Sequence, residues 1–326
     1  MADYTAVRMT APSSSNNPST LDRFRGCLLG LAVGDAVGTT VEFAPRDSFE
    51  PVTDMVGGGP FNLQPGQWTD DTSMALCLAE SLLDCGGFDA HDQQQRYWRW
   101  LNEGHMSSTG ECFDIGNTVR SALYRYQTSG EPFAGSQKPR SAGNGCIMRL
   151  APVPMYFAGN HERAVYHSIE SSRTTHGAPQ CLDACRLFGS QLARALAGAS
   201  KEELLIGNDH LEFEEPLVAA IAAANYVAKP KSDIRGSGYV VESLEAALWC
   251  FYHTGNYQDA VLLATNLGDD ADTTAAITGQ IAGAFYGASA IPEPWRVRLA
   301  RADFIKSLAD RLHEAALAGP NPHGGS

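Results

Sequence analysis

Two short runs of oxygen-bearing side chains carry the chemistry that this sequence can do. One is Thr69-Asp70-Asp71-Thr72. The other is Asp270-Ala271-Asp272-Thr273, with a further acid before it at Asp269. Three carboxylates within four residues repel one another unless protons or a cation intervene. Each run stands directly before apolar residues at helical spacing, so each is expected to open a helix. Capping by Thr69, with acids in the first turn, would suit the helix dipole. That role explains one acid well and two adjacent acids between two threonines poorly. The runs therefore read as two halves of one cation site. Every donor in them is an oxygen, and no His or Cys stands beside them at metal-ligand spacing. Hard oxygen donors favour Mg²⁺ or Mn²⁺, admit Ca²⁺ and disfavour zinc. Two such ions together can share a water and make it a nucleophile near neutral pH.

The elements that must position these runs are helices. Met74, Leu78 and Leu82 recur every fourth residue, and Ile305, Leu308 and Leu312 form a second stripe with Arg301, Lys306, Asp310 and Arg311 off it. Period-two strands are scarce. Two glycine ladders stand out: Gly26, Gly30, Gly34 and Gly38, then Ala275, Gly279, Gly283 and Gly287. A four-residue step keeps each set on one helical ridge. Each glycine inside a helix costs about 1 kcal/mol relative to alanine. Close approach of two helix backbones is the gain that would offset it. The expectation is that the two helices cross closely at the centre and bring the acid runs together. No composition break divides the chain, so a single all-α domain over residues 21–318 is expected. Residues 1–20 read as a flexible polar tail and 319–326 as a second one.

An ordered series of motifs surrounds the two runs. It begins with Arg25-Gly26-Cys27-Leu28-Leu29-Gly30, Gly34-Asp35-Ala36-Val37-Gly38 and Val41-Glu42-Phe43. After Thr69-Asp70-Asp71-Thr72 come Asp114-Ile115-Gly116-Asn117-Thr118 and Gly143-Asn144-Gly145-Cys146-Ile147-Met148-Arg149. Thr175-His176, Gly238-Tyr239-Val240-Val241 and Asn266-Leu267-Gly268-Asp269-Asp270-Ala271-Asp272-Thr273 complete it. Over residues 21 to 290 the chain resembles the ADP-ribosylglycohydrolase family. That resemblance implies a compact multi-helix fold around a dinuclear Mg²⁺ or Mn²⁺ site. It implies that Thr69, Asp70 and Asp71 supply ligands from one side and Asp270, Asp272 and Thr273 from the other. Asn144, between Gly143 and Gly145, His176 and Tyr239 would line a groove for ADP-ribose, the glycines letting backbone amides approach a pyrophosphate. Glu42 matches an acid near the bond that is cut. Asp35, a charge inside an apolar ladder, is expected to bond to backbone or to a metal-bound water. The chain departs from many relatives in having Asp269 where they have a second glycine.

The resemblance implies hydrolytic removal of ADP-ribose from a protein or small molecule, with Glu42 or Asp114 moving the proton. Asp114 stands in a segment similar to that of arginine-directed relatives. A carboxylate there could hold a guanidinium by paired hydrogen bonds, which implies a preference for ADP-ribosyl-arginine over the serine linkage. Phosphoryl or pyrophosphate hydrolysis at the same acids would call for a Lys or Arg clamp, and Arg149 is the one basic residue in the motifs after Arg25. A non-catalytic ADP-ribose binder would be expected to have lost the acid runs, and both are intact. The net charge of −13 argues against nucleic-acid backbone as the main partner. Leu217 to Ala228 is about half of the ~20 apolar residues that a membrane span needs. Asp3 and Arg8 interrupt any secretion signal at the start. Eight cysteines without a paired framework suit a reducing cytoplasm.

Overall fold

The computed structural model describes residues 17–208 and 210–319 of the chain. Most of the two expected tails therefore lies outside the described residues. The chain is 62% helical, about twice the share of an ordinary domain, and no β-strand occurs among the described residues. The helices run α1 Thr20–Gly38, α2 Asp70–Cys85, α3 Ala90–Glu103, α4 Asn117–Ser129, α5 Pro152–Tyr156, α6 His161–Arg173 and α7 Pro179–Leu196. After them come α8 Lys201–Ile206, α9 Pro216–Ala222, α10 Val240–Tyr252, α11 Tyr257–Thr265, α12 Ala271–Tyr286, α13 Glu293–Arg298 and α14 Ala302–Ala318. Both expected stripes are buried, on α2 and on α14.

The centre of the fold is an antiparallel pair, α1 and α12. A Cβ placed on Gly26, Gly30 or Gly34 would collide with the carbonyl of Gly283, Gly279 or Ala275 respectively, and one on Gly38 with that of Ala271. The reverse holds from Gly279 to Gly30 and from Gly283 to Gly26. The two helices thus lie alongside each other over their whole length instead of merely crossing. Backbones this close exchange Cα–H···O contacts and dispersion, which offset the helix-propensity cost of glycine. The expected second ladder is shifted by one rung. Gly287 lies past the end of α12 with φ +82°, and Ala271 supplies the fourth contact. Ser19 caps α1 by accepting from the Asp22 amide at 3.2 Å. Arg23 closes the other helix, its Nη1 donating to the Phe285 carbonyl at 2.6 Å, where a cation suits the end of α12.

Because α12 covers its glycine ridge, α1 is buried on every side, from Phe24 to Gly38 with the single exception of half-buried Arg25. By length and composition Thr20–Val41 is apolar enough to cross a membrane, and 89% of its most apolar window is buried by the rest of the chain. It exceeds Leu217–Ala228, the longest apolar stretch expected from the sequence. Its glycines and Asp35 disguise it there.

Candidate active site

The ladder ends at the acids. Gly38 packs on Ala271 and Asp272, so the last turn of α1 touches the first turn of α12. One turn earlier on α1 stands Asp35, wholly buried. Its Oδ1 accepts from the Thr69 amide at 2.8 Å and the Thr69 hydroxyl at 3.0 Å. Its Oδ2 accepts from the Thr72 amide at 3.0 Å and the Thr72 hydroxyl at 2.6 Å. Asp35 therefore caps α2 from another helix. Thr69 occupies the N-cap position, as its sequence implies, but makes no capping bond of its own. Its hydroxyl stands between Asp35, Asp71 Oδ2 at 3.3 Å and Asp272 Oδ2 at 3.2 Å. The expected bonding of Asp35 to backbone is what the fold shows.

The two acid runs meet, and the loops bring two more carboxylates to them. Oxygens of Asp70, Asp71 and Asp272 lie within 4.8 Å of one another, and so do those of Glu42, Asp114 and Asp272. Asp272 belongs to both trios. Glu42, expected to be a proton-transfer group, thus stands where it could also hold a cation. Asp270 belongs to neither trio. Asp270 Oδ2 accepts from the Asn144 side-chain Nδ2 at 2.8 Å, and the Thr273 hydroxyl donates to Asp71 Oδ2 at 3.4 Å. Asp71 Oδ1 and Asp272 Oδ1 are buried without any hydrogen-bond partner among the described residues. Unpaired buried carboxylate oxygens are costly, and a divalent cation satisfies them without a donor. The donor set is all oxygen, so the residues present fit Mg²⁺ or Mn²⁺.

The arrangement crowds negative charge. Burial, then neighbouring acids, pushes Asp70, Asp71 and Asp272 well above the usual carboxylate range. Burial and then Asp114 push Glu42 to about 10. Burial and then Asp270 push Asp114 to about 7. For Asp35 burial wins over four hydrogen bonds and leaves it at about 6. Among the described residues no Lys or Arg forms an ion pair with any of these groups.

Loop geometry delivers Glu42 and Asp114. Phe43 donates its amide to the Asp269 carbonyl at 2.7 Å, and Asp269 donates to Ala44 at 2.8 Å. This reciprocal pair staples the segment after Glu42 to the segment before Asp270. Phe43 and Asp269 both take positive φ, 62° and 56°. Asp114 does too, at 59°. It does not cap α4, whose N-cap is Gly116. The Ser108 hydroxyl donates to the Trp68 carbonyl at 2.6 Å, tying the Asp114 loop to the residue before Thr69.

Beside the acids lies the segment expected to line a groove. Gly143 and Tyr239 form an isolated antiparallel bridge, with the Asn144 amide on the Gly238 carbonyl at 3.1 Å and the Gly143 amide on Ser141 at 2.9 Å. Those two amides are therefore engaged within the protein and not free to cradle a pyrophosphate. The glycines also make room for a neighbouring side chain. A Cβ on Gly145 would lie 2.8 Å from His176 Cε1, and one on Gly143 3.4 Å from His176 Nε2. Tyr239 is half-buried at the N-cap of α10. Arg149 is wholly buried, its Nη2 on the Thr175 hydroxyl at 2.6 Å, so it cannot act as a phosphoryl clamp. Sequence reasoning named Thr175 only within a motif, without a role, and missed Ser108. The adjacency of Thr175 to His176 was a usable signal for the first; nothing in the sequence signalled the second.

Comparison with known proteins gives the family. The ADP-ribosylglycohydrolase family pattern matches residues 16–321. The chain belongs to that family. It is 46% identical to the ADP-ribosylarginine hydrolase Tri1 of Serratia proteamaculans, over 93% of this chain and 82% of that protein. It is 32% identical to the ADP-ribosyl-[dinitrogen reductase] glycohydrolase of Rhodospirillum rubrum, over 86% of this chain and 92% of that one. A solved structure described as an ADP-ribosylglycohydrolase-related protein complex superposes with a TM-score of 0.82 at 41% identity, covering 91% of this chain and 99% of its own. The all-α fold and the hydrolytic class implied by the motifs are those of the family.

Proposed function

We propose that this family member hydrolyses the glycosidic bond between ADP-ribose and a modified arginine, releasing ADP-ribose. The observation that carries the reading is the pair of carboxylate trios sharing Asp272 at the joined starts of α2 and α12. The arginine linkage is supported by the relatives named as arginine hydrolases and by a concentration of acid suited to a guanidinium. Asp70, Asp71, Asp272 and Glu42 would hold two divalent cations, Mg²⁺ or Mn²⁺, with Asp270, Thr69 and Thr273 completing the set. Such cations, when bound, supply positive charge and an activated water. Asp114 stands beside Glu42 and Asp272, where its carboxyl is placed to give a proton to the departing guanidine and regain it. Asp35 holds the start of α2 in place, so that Asp70 and Asp71 keep their aim. Asn144 steadies Asp270. His176 and Tyr239 would bound the ADP-ribose groove. The eight free cysteines suit a reducing compartment such as the cytoplasm.

The test is incubation with ADP-ribosyl-arginine, ADP-ribosyl-serine and O-acetyl-ADP-ribose, with and without Mg²⁺ or Mn²⁺, with mass spectrometry of released ADP-ribose. Metal-dependent release, fastest from arginine, is the expected result. Faster release from serine would reject the linkage, and no release from any substrate would reject the hydrolase reading.

A further inference from the structure

Behind the groove wall lies an arginine with no acid to pair it. Arg149 is wholly buried, and among the described residues it forms no ion pair. A buried cation without an anion is expensive. Its guanidinium lies over the Tyr97 ring, 4.7 Å from the centroid, and its Nη2 donates to the Thr175 hydroxyl at 2.6 Å and to the Ser171 carbonyl at 3.5 Å. The Thr175 hydroxyl in turn lies 2.8 Å from His176 Nδ1.

Counting protons decides which way this chain runs. A threonine hydroxyl has one proton and two lone pairs, and Arg149, which has only protons to give, takes one lone pair. Were His176 protonated on Nδ1, it would take the other. The hydroxyl proton would then be left unpaired in a buried site, since Thr175 Oγ1 makes no other hydrogen bond among the described residues. With Nδ1 bare, every group is satisfied. Arg149 donates to Thr175, Thr175 donates to His176, and the cation at the head strengthens the second bond. The ring's proton then sits on Nε2. That edge faces the Gly143–Gly145 loop, where glycines leave room for it. Burial, with Arg149 nearby, holds the ring neutral by lowering it to about 4, against the opposing influence of Cys146.

We propose that Thr175 is a positioning residue: it fixes His176 as the neutral tautomer with its proton on Nε2, so that the ring meets an oxygen of the bound ADP-ribosyl group as a donor. The ligand half of this rests on the groove reading above; the tautomer half does not. Arg149 acts through Thr175 by occupying the lone pair that would otherwise accept from the ring. The sequence of a glycine-flanked Asn144, a buried Arg149 and the Thr175-His176 pair is then one device for presenting a single N–H.

The test uses the full chain with ¹⁵N-labelled histidine and Mg²⁺, read by two-bond ¹H–¹⁵N correlation with and without ADP-ribose. Wild type is expected to show His176 protonated on Nε2 alone. Thr175→Val keeps the shape and removes the donor, so Nδ1–H should become populated. Its Kd for ADP-ribose and its KM should rise roughly tenfold, the worth of about one hydrogen bond, while kcat stays within about twofold, as for an interaction made equally before and during reaction. Thr175→Ser should restore both tautomer and affinity. In a His176→Ala background, Thr175→Val should add nothing. Protonation of Nδ1 in wild type, or an unchanged tautomer in Thr175→Val, would overturn the proposal. An altered tautomer with unchanged ADP-ribose affinity would overturn its ligand half. Failure of wild type itself to bind ADP-ribose would reject the groove reading, with the spectra still deciding the tautomer.

Discussion

The acid centre draws on two kinds of backbone. Thr69, Asp70 and Asp71 on one side, and Asp270, Asp272 and Thr273 on the other, sit at the starts of α2 and α12. Both starts are fixed to α1, one by the Asp35 carboxylate and the other by glycine contact. Glu42 and Asp114 instead arrive on loops, beside or upon residues in the left-handed region. The helix starts are held by packing that extends along the ladder from Gly26 to Gly38. The loop acids are held by a few hydrogen bonds and by backbone conformations that side chains other than glycine adopt at a cost. Rigid ligands on one side and strained carriers on the other are what a centre needs if some acids must stay put while others exchange protons.

The sharpest break of that comparison is at Asp272, the residue common to both trios. Asp272→Asn is expected to lower kcat/KM roughly a thousandfold, as loss of several kcal/mol of charge stabilisation implies, with the helical circular dichroism retained. Asp114→Asn, on the loop side, should cost less, roughly a hundredfold, the range of one acid–base group. Its neighbours are Glu42 and Asp272, so the loss should fall on arginine and serine linkages alike. The sequence alone suggests a selective loss on arginine, and a ratio of losses above about ten would restore that view. Assays of both variants on both substrates measure it.

Stability separates the two regions in another way. Gly34→Ala drives a methyl into the Ala275 carbonyl, with no flexible side chain to yield. A loss of about 3 kcal/mol is expected, or a melting temperature lower by roughly 6–12 °C. Gly87→Ala, which meets nothing within 4 Å, is the control and should leave the melt unchanged. Equal melts for the two would mean that the α1–α12 backbones do not touch.

Electrostatics gives the third contrast. The centre's carboxyls are raised in the folded chain, Asp35 to about 6, Asp114 to about 7 and Glu42 to about 10. A raised folded value means that the native state holds protons which the unfolded chain has released. Their stabilising share is complete below about pH 4 and is lost as pH rises through those folded values. Metal-free protein in chelator should therefore melt progressively lower from pH 5 to pH 8. Saturating Mg²⁺ should remove much of that slope, because it binds the ionised native form. A metal-free melt that rises over this interval would contradict the crowding.

Much of this was legible in the sequence, for physical reasons. Helix starts are written locally, as polar groups before apolar periodicity, so both acid runs and their approach could be read. The glycine ladders gave the α1–α12 contact but not its register, because a ridge of equal steps fits its partner at several offsets. Capping of α2 by Asp35 was out of reach as a specific claim, since a carboxylate 34 residues away leaves no local pattern. The packing partner of Gly143 and Gly145 was out of reach for a similar reason. A glycine announces that something approaches closely, and only the fold shows that His176 is what approaches.

The smallest effect is also the most direct measure of loop strain. Asp269 takes φ 56°, and its side chain is exposed. The left-handed region costs a residue with a Cβ roughly 1–2 kcal/mol, although aspartate tolerates it better than most. Asp269→Gly removes that cost and in part offsets it by freeing the unfolded chain. A net gain of about 0.5 kcal/mol is expected, close to the limit of a careful urea titration. The backbone bonds from Asp269 to Phe43 and Ala44 involve no side chain, so the staple on Glu42 should survive. The charge removed is exposed and screened, and kcat/KM should hold within about twofold. A loss of stability would mean that the aspartate makes this turn instead of merely tolerating it. A tenfold change in activity at unchanged stability would mean that the charge at 269 is felt by whatever the trios hold, and the loop side would then be part of the centre's chemistry as well as its scaffold.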